Sequence, residues 1–488
     1  MKLAGYGRLA CVAAALCAAG APAQVVPGRE SATTGRERLQ ARPPLTRGAP
    51  PDSAFLGGVP AESAPEGDIA LSLSEAIERG LSRNLGSLLA DAGRQAAAGE
   101  RLRLRSELLP EVSVRTGAIS QQINLAAFGF RGFPGTPPVV GPFGVFDARV
   151  SLSAPLLDLR ALRNIRAGGE NSKAADLTYQ DARDTVVLAV GGLYLQALAA
   201  ESRVKAAGAQ LETAEALYNQ AVDMKSSGLV PAIEVLRLQV ERQVARQRRI
   251  AAENDLEKQK LALGRAIGLQ AAQRFHLTDP IRYTPLAPVS PEALVEEAAG
   301  ARADYQAGLA RLRAAEARVA AARAERLPSL SLDANYGTIG RRPDESHGTY
   351  SVAATVTIPL FQGGRVRGNV LEAEAALRER RSEVDDLRNR IALEIRTALL
   401  DVKASSELVE ATSEAVKLAS EQLGHARDRF AAGVASNLEV VQAQESVAAA
   451  DDNYIASLFS YNWAKGVLGR AVGGAEKTYR RYWPGANR

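Results

Sequence analysis

The sequence has only two cysteines and three histidines in 488 residues. Both cysteines, Cys11 and Cys17, lie within the first 23 residues, so a chain shortened at that point has none. Such a chain can form neither a disulfide nor a metal site with cysteine ligands. The histidines lie far apart, and no nucleophile–base–acid set or cofactor fingerprint is recognisable. We therefore expect no catalytic residue, no metal and no cofactor.

The chain also lacks blocks of one charge. Its 60 basic and 55 acidic residues give a formal net charge of +5, and loss of Lys2 and Arg8 would leave +3. The two signs alternate along the sequence, which speaks against a nucleic-acid partner. We predict no transmembrane helix in the chain that follows the leader.

Residues 1–23 have the pattern of a secretory signal peptide. Lys2 and Arg8 precede an apolar core at 9–19, and Ala21-Pro22-Ala23 forms an A-x-A cleavage site. The apolar core is too short to span a bilayer. A lipidated Cys17 is the alternative, although the preceding Leu16 is bulky where such sites favour a small residue. Residues 24–68 are rich in Pro, Gly, Ser and Arg and predict a disordered extension.

A long helical stretch is predicted from Val366 to Leu468. Leu387, Ile391 and Ile395 are spaced as on one stripe of a helix, and the pattern continues to Phe430. A short interruption at 431–436 then leads to Ser436-Asn437-Leu438-Glu439, which predicts a capping box and a second, antiparallel helix. At about 1.5 Å rise per residue, roughly 65 residues reach about 100 Å. A compact domain needs no helix of this length, so we expect the helix to span a distance larger than such a domain.

The same unit occurs twice. Leu263-Gly264-Arg265 and Leu468-Gly469-Arg470 are 468 − 263 = 205 residues apart, as are Gly228 and Gly433. Pro155 and Pro359 are 204 residues apart. We therefore predict two tandem repeats, 69–269 and 291–473, joined by a proline-rich linker at 270–290 and followed by a tail at 474–488 without helical period.

Each repeat is predicted to begin with one continuous helix, which is capped by Ser74 in the first repeat and starts near Pro291 in the second. These helices end at Pro110 and Pro328, after which the apolar period changes from 3.6 to 2. Four strands are predicted at about 111–128, 145–157, 329–339 and 349–361, each with one apolar and one polar face. In the last strand, for example, Val352, Ala354 and Val356 alternate with polar or small residues. The strand lengths approach the ~9–11 residues that cross a bilayer in a β-barrel.

Four strands are too few to close a membrane barrel, and open strand edges are not tolerated in lipid. If the strands span a membrane, several copies of the chain must close the sheet together. The alternative is a pair of soluble hairpins half-buried under helices. The export leader, the lack of a transmembrane helix and the position of the strands at one end of long helices favour the membrane.

Several segments of the chain resemble the TolC-like outer-membrane channels of Gram-negative efflux pumps and type I secretion systems. The resemblance covers roughly 71–473. Its carriers are Leu73-Ser74-Glu75-Ala76-Ile77, Leu109-Pro110, Leu327-Pro328, Pro359-Leu360-Phe361-Gln362-Gly363-Gly364-Arg365, Phe430-Ala431-Ala432-Gly433, Glu439-Val440-Val441-Gln442-Ala443-Gln444 and the paired Leu-Gly-Arg-Ala-Ile/Val-Gly ends.

The resemblance implies a mainly helical fold with membrane β-strands. Three protomers would form a 12-stranded β-barrel continued by a periplasmic α-helical barrel. It also implies a non-enzymatic, passive conduit in the Gram-negative outer membrane, in contact with lipid, a periplasmic adaptor (membrane fusion) protein and an inner-membrane pump. The sequence does not identify the transported substrate. The alternative is an exported, soluble coiled-coil structural or adaptor protein of the periplasm.

The resemblance further implies that the turns at 226–233 and 431–438 form the periplasmic entrance. Glu234 and Glu439, each six residues after a turn glycine, would line the pore constriction. They could equally cap the helices or offset the helix dipoles. Phe430, Ala435 and Gln442 depart from residues found in some family members, so a hydrogen-bonded lock is not carried over. The turn residues expected to contact the adaptor are Gly228, Leu229, Val230, Pro231, Phe430, Gly433, Val434, Ala435 and Ser436.

Overall fold

The computed structural model describes residues 53–60, 67–129, 137–432, 434 and 436–483. The predicted signal peptide, most of the predicted extension and residues 484–488 lie outside these ranges. The described residues belong to one compact unit, 46–488.

Long helices dominate the described residues. In chain order the helices are α1 Leu73–Arg83, α2 Leu85–Ser106, α3 Leu159–Ser226, α4 Ala232–Ala266, α5 Pro291–Ala301, α6 Ala303–Ala324, α7 Arg365–Ala431, α8 Asn437–Val472 and α9 Ala475–Tyr482. The strands are β1 Ile69–Leu71, β2 Glu111–Asn124, β3 Val139–Leu157, β4 Phe275–Leu277, β5 Ser329–Gly340 and β6 Ser346–Thr357. Strands β1 and β4 form a small parallel pair.

The other strands form one antiparallel sheet in the order β2-β3-β5-β6. Strand β3 begins at Val139, six residues earlier than predicted, because the pairing with β2 continues to Asn124 opposite Val139. Strand β6 ends at Thr357, four residues earlier than predicted and shortly before Pro359, which has no N–H to donate. Within the described residues, β2 and β6 each pair on one side only.

The two faces of this sheet differ in polarity. Residues that pair across antiparallel strands share a face. One face carries the apolar rows Val112, Leu152, Ala334, Val352 and Val114, Val150, Tyr336, Tyr350. The row between them on the opposite face is Ser113, Ser151, Asn335, Ser351. Val352 is 67% exposed and Tyr350 is 79% exposed, so no described residue covers this part of the apolar face.

The helices repeat in length as well as in sequence. Helices α3 and α7 have 68 and 67 residues, which is about 100 Å each at ~1.5 Å per residue. Helices α1 and α5 have 11 residues each, and α2 and α6 have 22 each. Two continuous helices were expected where the structure has these pairs. The breaks fall at Asn84 and Arg302, both 26 residues before the proline that precedes a strand.

Buried polar side chains explain both breaks. The Asn84 amide donates to the carbonyls of Phe55 and Ala266, while its oxygen accepts from Gly86 N–H and caps α2. The Arg302 guanidinium, 4% exposed, pairs with Asp304 and Glu394. Each residue has an extended backbone conformation that a helix does not accommodate.

Two details of helix capping and of the chain end differ from the expectation. Ser72, rather than Ser74, is the N-cap of α1, with Glu75 completing a capping box. The tail predicted to lack helical period contains α9, whose Tyr479 and the following Trp483 are buried in the core formed by α1, α3 and β4. Its Tyr482 packs in a second core with α5, α7 and α8. The chain end therefore ties the two repeats together.

One helix, α3, contains a stretch that by length and composition could cross a membrane. Of that stretch, 61% is buried inside the protein, as in the core helix of a soluble domain, so its apolar character is explained by internal packing.

Because Lys465 on α8 is buried, we expect the free energy of unfolding to increase as the pH becomes alkaline. Its side chain is 2% exposed, and Nζ donates to the Thr284 carbonyl over 3.1 Å. Burial lowers the Lys465 pKa to about 8 from an ordinary 10.5. Between these values the unfolded chain holds a proton that the folded protein has lost, so stability increases as pH rises through this window.

We expect Lys465→Met to raise the free energy of unfolding at pH 7 by about 1–3 kcal/mol and to flatten its rise between pH 8 and 10.5. The Thr284 carbonyl keeps a donor, the Tyr461 hydroxyl. Melting curves across this pH range measure the effect. The exposed Lys417, paired with Glu414, provides the control Lys417→Met. Parallel pH curves for the wild type and the Lys465 variant would contradict the assignment.

Candidate functional site

The two turns that join the long helices form the candidate site, and both end the first helix in the same way. At the end of α3, Gly228 has φ +76°, a left-handed conformation that favours glycine. The Leu229 N–H donates to the Met224 carbonyl over 2.9 Å. At the end of α7, the Val434 N–H donates to the Arg429 carbonyl over 3.0 Å. Both bonds are the six-residue bond of a Schellman motif.

The second helix of each pair begins without a side-chain cap. Pro231 is the N-cap of α4 and Ser436 that of α8, and neither side chain bonds a helix N–H. The capping box predicted for Ser436 and Glu439 is therefore wrong. The box does not form because the Glu439 carboxylate turns instead toward Arg429 on α7, with Oε2 of Glu439 3.5 Å from Nε of Arg429.

Glu234 and Glu439 lie at equivalent places in the first turns of α4 and α8 but in different surroundings. The Glu234 side chain is 17% exposed, and Oε1 accepts from Arg237 over 3.0 Å. Its Oε2 is buried and accepts no hydrogen bond from a described residue. The Glu439 side chain is 47% exposed. Glu439 is thus the more accessible carboxylate, and Glu234 is partly enclosed by its own protomer.

Asn437 brings the two turns together. Its Nδ2 donates to the backbone carbonyl of Glu234 over 3.0 Å, although Asn437 itself is only 1% exposed. Sequence reasoning missed this role and treated Asn437 as one residue of the capping box. The repeat offered an indication, because the equivalent position, 437 − 205 = 232, is an alanine. A buried polar residue that breaks the repeat is a candidate for a contact between the repeats.

The turn residues that are predicted to contact the adaptor differ in how exposed their side chains are. Leu229 is 71% exposed and Val434 69%, and they are 205 residues apart, so each turn presents an apolar side chain at the same position. Phe430, in contrast, is 3% exposed and packs with Leu217, Leu238 and Val440 in a core between the turns. Its side chain is not available to a partner. Gly433 and Ala435 lie outside the described residues.

The described part of the chain contains no group of three or more His, Cys, Asp or Glu that could hold a metal ion. The turns therefore offer carboxylates, one exposed and one partly enclosed, together with exposed apolar side chains. This arrangement suits electrostatic selection of ions and contact with another protein rather than covalent chemistry.

Comparison with known proteins gives a consistent result. A family model described as "Outer membrane efflux protein" matches residues 78–269 and 294–474. The pyoverdine export outer membrane protein OpmQ of Pseudomonas aeruginosa is 26% identical over 433 residues, which cover 84% of this chain and 87% of OpmQ. The alkaline protease secretion protein AprF of the same species is 23% identical over 331 residues, covering 66% of this chain and 68% of AprF.

A solved structure of a membrane protein from Pseudomonas aeruginosa shares the fold. It superposes with a TM-score of 0.72 at 22% sequence identity and covers 85% of this chain and 95% of that protein.

Proposed function

Because the chain belongs to the outer membrane efflux protein family, and is therefore a non-enzymatic outer-membrane channel of tripartite efflux or type I secretion systems, we propose that it acts as a homotrimer whose helical turns form the gated entrance. Family membership favours this channel over the exported soluble adaptor considered from sequence. The relatives named above are called export and secretion proteins, and this chain would conduct whichever cargo its inner-membrane pump delivers.

The sheet is the observation that supports the trimer. It has one apolar and one polar face, and its edge strands β2 and β6 each have one unpaired side among the described residues. In lipid every backbone polar group needs a partner, so an open edge is not stable there. Three copies joined β2 to β6 would give twelve strands with the apolar face toward lipid and the polar face toward a lumen.

We expect the protein extracted in mild detergent to have the mass of three chains by multi-angle light scattering. Strand-to-strand pairing between copies removes all open edges, which makes this assembly stable in detergent and resistant to mild SDS. A monodisperse particle with the mass of one chain would contradict the model of a shared barrel.

The long helices support a tunnel that continues the barrel. Helices α3 and α7 run from the sheet to the turns over about 100 Å each. The turns then lie at the end farthest from the membrane, where a periplasmic adaptor would meet them. The exposed Leu229 and Val434 would supply six apolar contact points in a trimer.

At the same level, Glu234 and Glu439 would provide six carboxylates around a narrow entrance. We expect the double change Glu234→Gln and Glu439→Gln to weaken the cation selectivity of single channels in planar bilayers and to reduce block by multivalent cations. Gln keeps the side-chain size and removes only the charge. Because Glu439 is more exposed, the single Glu439→Gln change should account for most of the effect.

Glu414, an exposed carboxylate on α7 paired with Lys417, provides the control Glu414→Gln. If the double variant keeps wild-type selectivity and block while only its melting temperature falls, the carboxylates act on the helix dipoles and the gate lies elsewhere.

A further inference from the structure

The ends of four helices next to the four-stranded sheet carry an excess of positive charge. Helices α2 and α6 lead into β2 and β5, and β3 and β6 lead into α3 and α7. The two turns at these ends, each with its capping residue, are 100–107, 318–325, 158–165 and 364–371, which we call the arginine collar. The collar contains nine arginines and four acidic residues, a net charge of 9 − 4 = +5.

The opposite ends of the long helices are electrically balanced. The corresponding stretches at the turns are 220–227, 231–238, 425–432 and 436–443. They contain four basic and four acidic residues. The excess of arginine is therefore a property of the end that lies next to the sheet and not of the long helices in general.

Most of the charge of the collar is not neutralised within the protomer. All four of its acidic residues already bond a residue of the same chain. Five of its arginines are exposed and form no ion pair with a described residue: Arg101, Arg105, Arg163, Arg318 and Arg367. Arg163 and Arg367 are 367 − 163 = 204 residues apart and occupy equivalent positions in the two repeats. Unpaired guanidinium groups from both repeats thus attract anions to this end of the protein.

The stability of the helices themselves does not account for these arginines. A positive charge near a helix N-terminus is unfavourable because it opposes the helix dipole. Arg160 lies in the first turn of α3, and Arg365 and Arg367 lie in the first turn of α7, while neither first turn contains an acidic residue. An external anion would remove this unfavourable interaction.

The sheet places the collar at one boundary of the membrane. Tyr336 and Tyr350 lie opposite each other on the apolar face and are 70% and 79% exposed, as in the aromatic girdle at one edge of a membrane barrel. At about 3.3 Å per residue and a strand tilt of about 40°, an apolar band of about 25 Å extends over about ten residues. Counted from Tyr350 along β6, the band ends near Leu360 and Phe361, which are 93% and 91% exposed. The collar begins directly after this point.

We propose that the arginine collar binds the headgroups of anionic phospholipids in the periplasmic leaflet of the outer membrane, with Arg163 and Arg367 as phosphate ligands in each protomer. The exposed Leu360 and Phe361 continue the apolar face of the sheet to the edge of the acyl chains. The guanidinium groups then follow at the level of the phosphates, which they can bind through two parallel hydrogen bonds. This inference rests on the proposed barrel, whose apolar face is turned toward lipid.

Such binding would set the depth of the barrel in the membrane. An anionic leaflet attracts basic residues that lie directly beside it, and the attraction decreases within a Debye length. The collar lies within that range of the leaflet, whereas the balanced ends at the turns lie about 100 Å away along the helices. Movement of the barrel along the membrane normal would separate the arginines from the phosphates.

The test uses the full chain reconstituted in phosphatidylcholine vesicles that contain traces of spin-labelled phosphatidylglycerol or spin-labelled phosphatidylcholine. Electron spin resonance measures the fraction of each labelled lipid that the protein immobilises. We expect phosphatidylglycerol to be preferred about two- to fivefold, because basic residues beside a membrane attract anionic headgroups. The preference should decrease in high salt. Arg163→Gln/Arg367→Gln should lower it at least about twofold.

Two arginines elsewhere on the helices provide the matched control. Arg246 on α4 and Arg390 on α7 are exposed and form no ion pair with a described residue. Arg390 is 390 − 365 = 25 residues from the start of α7, about 37 Å along the helix. Arg246→Gln/Arg390→Gln removes the same charge from one helix of each repeat, and we expect it to leave the lipid preference unchanged.

The position of the membrane boundary is measured separately with Phe361→Trp. Spin-labelled phosphatidylcholine should quench the fluorescence of this tryptophan. The wild type, whose Trp463 and Trp483 belong to the helical region and its C-terminal end, supplies the background. No additional quenching in the variant would show that the collar does not lie at the membrane and would overturn the proposal.

Light scattering separates failure of this inference from failure of the proposed channel. A trimer that immobilises both lipids equally, or that loses its preference equally in both double variants, would overturn lipid binding by the collar and leave the channel in place. If Arg163→Gln/Arg367→Gln weakens the trimer but keeps the lipid preference, these arginines pair with a neighbouring copy and the proposal is wrong. A particle with the mass of one chain would overturn the shared barrel and this inference with it.

Discussion

Replacing Trp483 by alanine is expected to lower the free energy of unfolding by about 3–5 kcal/mol and to release α9 from the helical core. Trp483 follows the last residue of α9 and is 4% exposed. Its indole Nε1 donates to the Asn462 carbonyl of α8 over 2.8 Å. The substitution removes both the largest apolar contact of this segment and the donor of a buried carbonyl.

Small residues on two helices make room for the indole ring. A methyl group added at Gly191 on α3 or at Gly466 on α8 would overlap the ring of Trp483. The ring therefore packs directly on the backbones of one helix from each repeat. Charged contacts add to this attachment, because Glu476 on α9 pairs with Arg183 of α3 and its N–H donates to Asp184. The indole provides the apolar part of this attachment.

Melting curves of the detergent-solubilised protein and limited proteolysis near the C terminus measure the loss. The exposed Lys477 on α9 provides the control Lys477→Ala, for which we expect a change within about 0.5 kcal/mol. Gly466→Ala should reproduce the Trp483→Ala phenotype from the opposite side of the contact. Unchanged melting and proteolysis for Trp483→Ala would show that the charged contacts alone hold α9.

The large elements follow from period and repetition, which is why the sequence predicts them well. The stripe at Leu387, Ile391 and Ile395 predicts α7, and the alternation from Ser351 to Val356 predicts β6, because both patterns extend over many residues. Helix α9 is not predicted by this reasoning. It has only eight residues, too short for a stable helix on its own, and its stability comes from contacts with α3 and α8 distant in sequence.

At the candidate site the sequence predicts positions better than contacts. The spacing of Gly228 and Gly433 locates both turns, whereas the capping box read from Ser436 and Glu439 does not form, because Arg429 on the preceding helix attracts the carboxylate. Local motifs describe what a segment can do alone. The role of Asn437 depends on the Glu234 carbonyl of the other turn, which faces it only in the folded protein.

The sheet permits a test with two neighbouring alanines. Ala353 and Ala354 on β6 are consecutive, and both are exposed in the single protomer. Ala353 pairs with Asp333 on the polar face, and Ala354 pairs with Leu332 on the apolar face. The same substitution by arginine at each therefore differs only in the face that receives the charge. Val356, on the same face as Ala354, lies one residue before the end of β6 and is less suitable.

We expect Ala354→Arg to lower the free energy of unfolding of the protein in lipid vesicles by about 2–4 kcal/mol, as for arginine on the lipid face near the middle of a membrane. Ala353→Arg should be tolerated, because its guanidinium would enter a water-filled lumen opposite the Asp333 carboxylate. Guanidinium titration of vesicle-inserted protein and the yield of trimer in the outer membrane measure both variants. If the two arginines are equally damaging, both faces of the sheet are buried and β6 is not part of a membrane wall. If only Ala353→Arg is damaging, the apolar face lines the interior, and the assignment of lipid and lumen to the two faces is reversed.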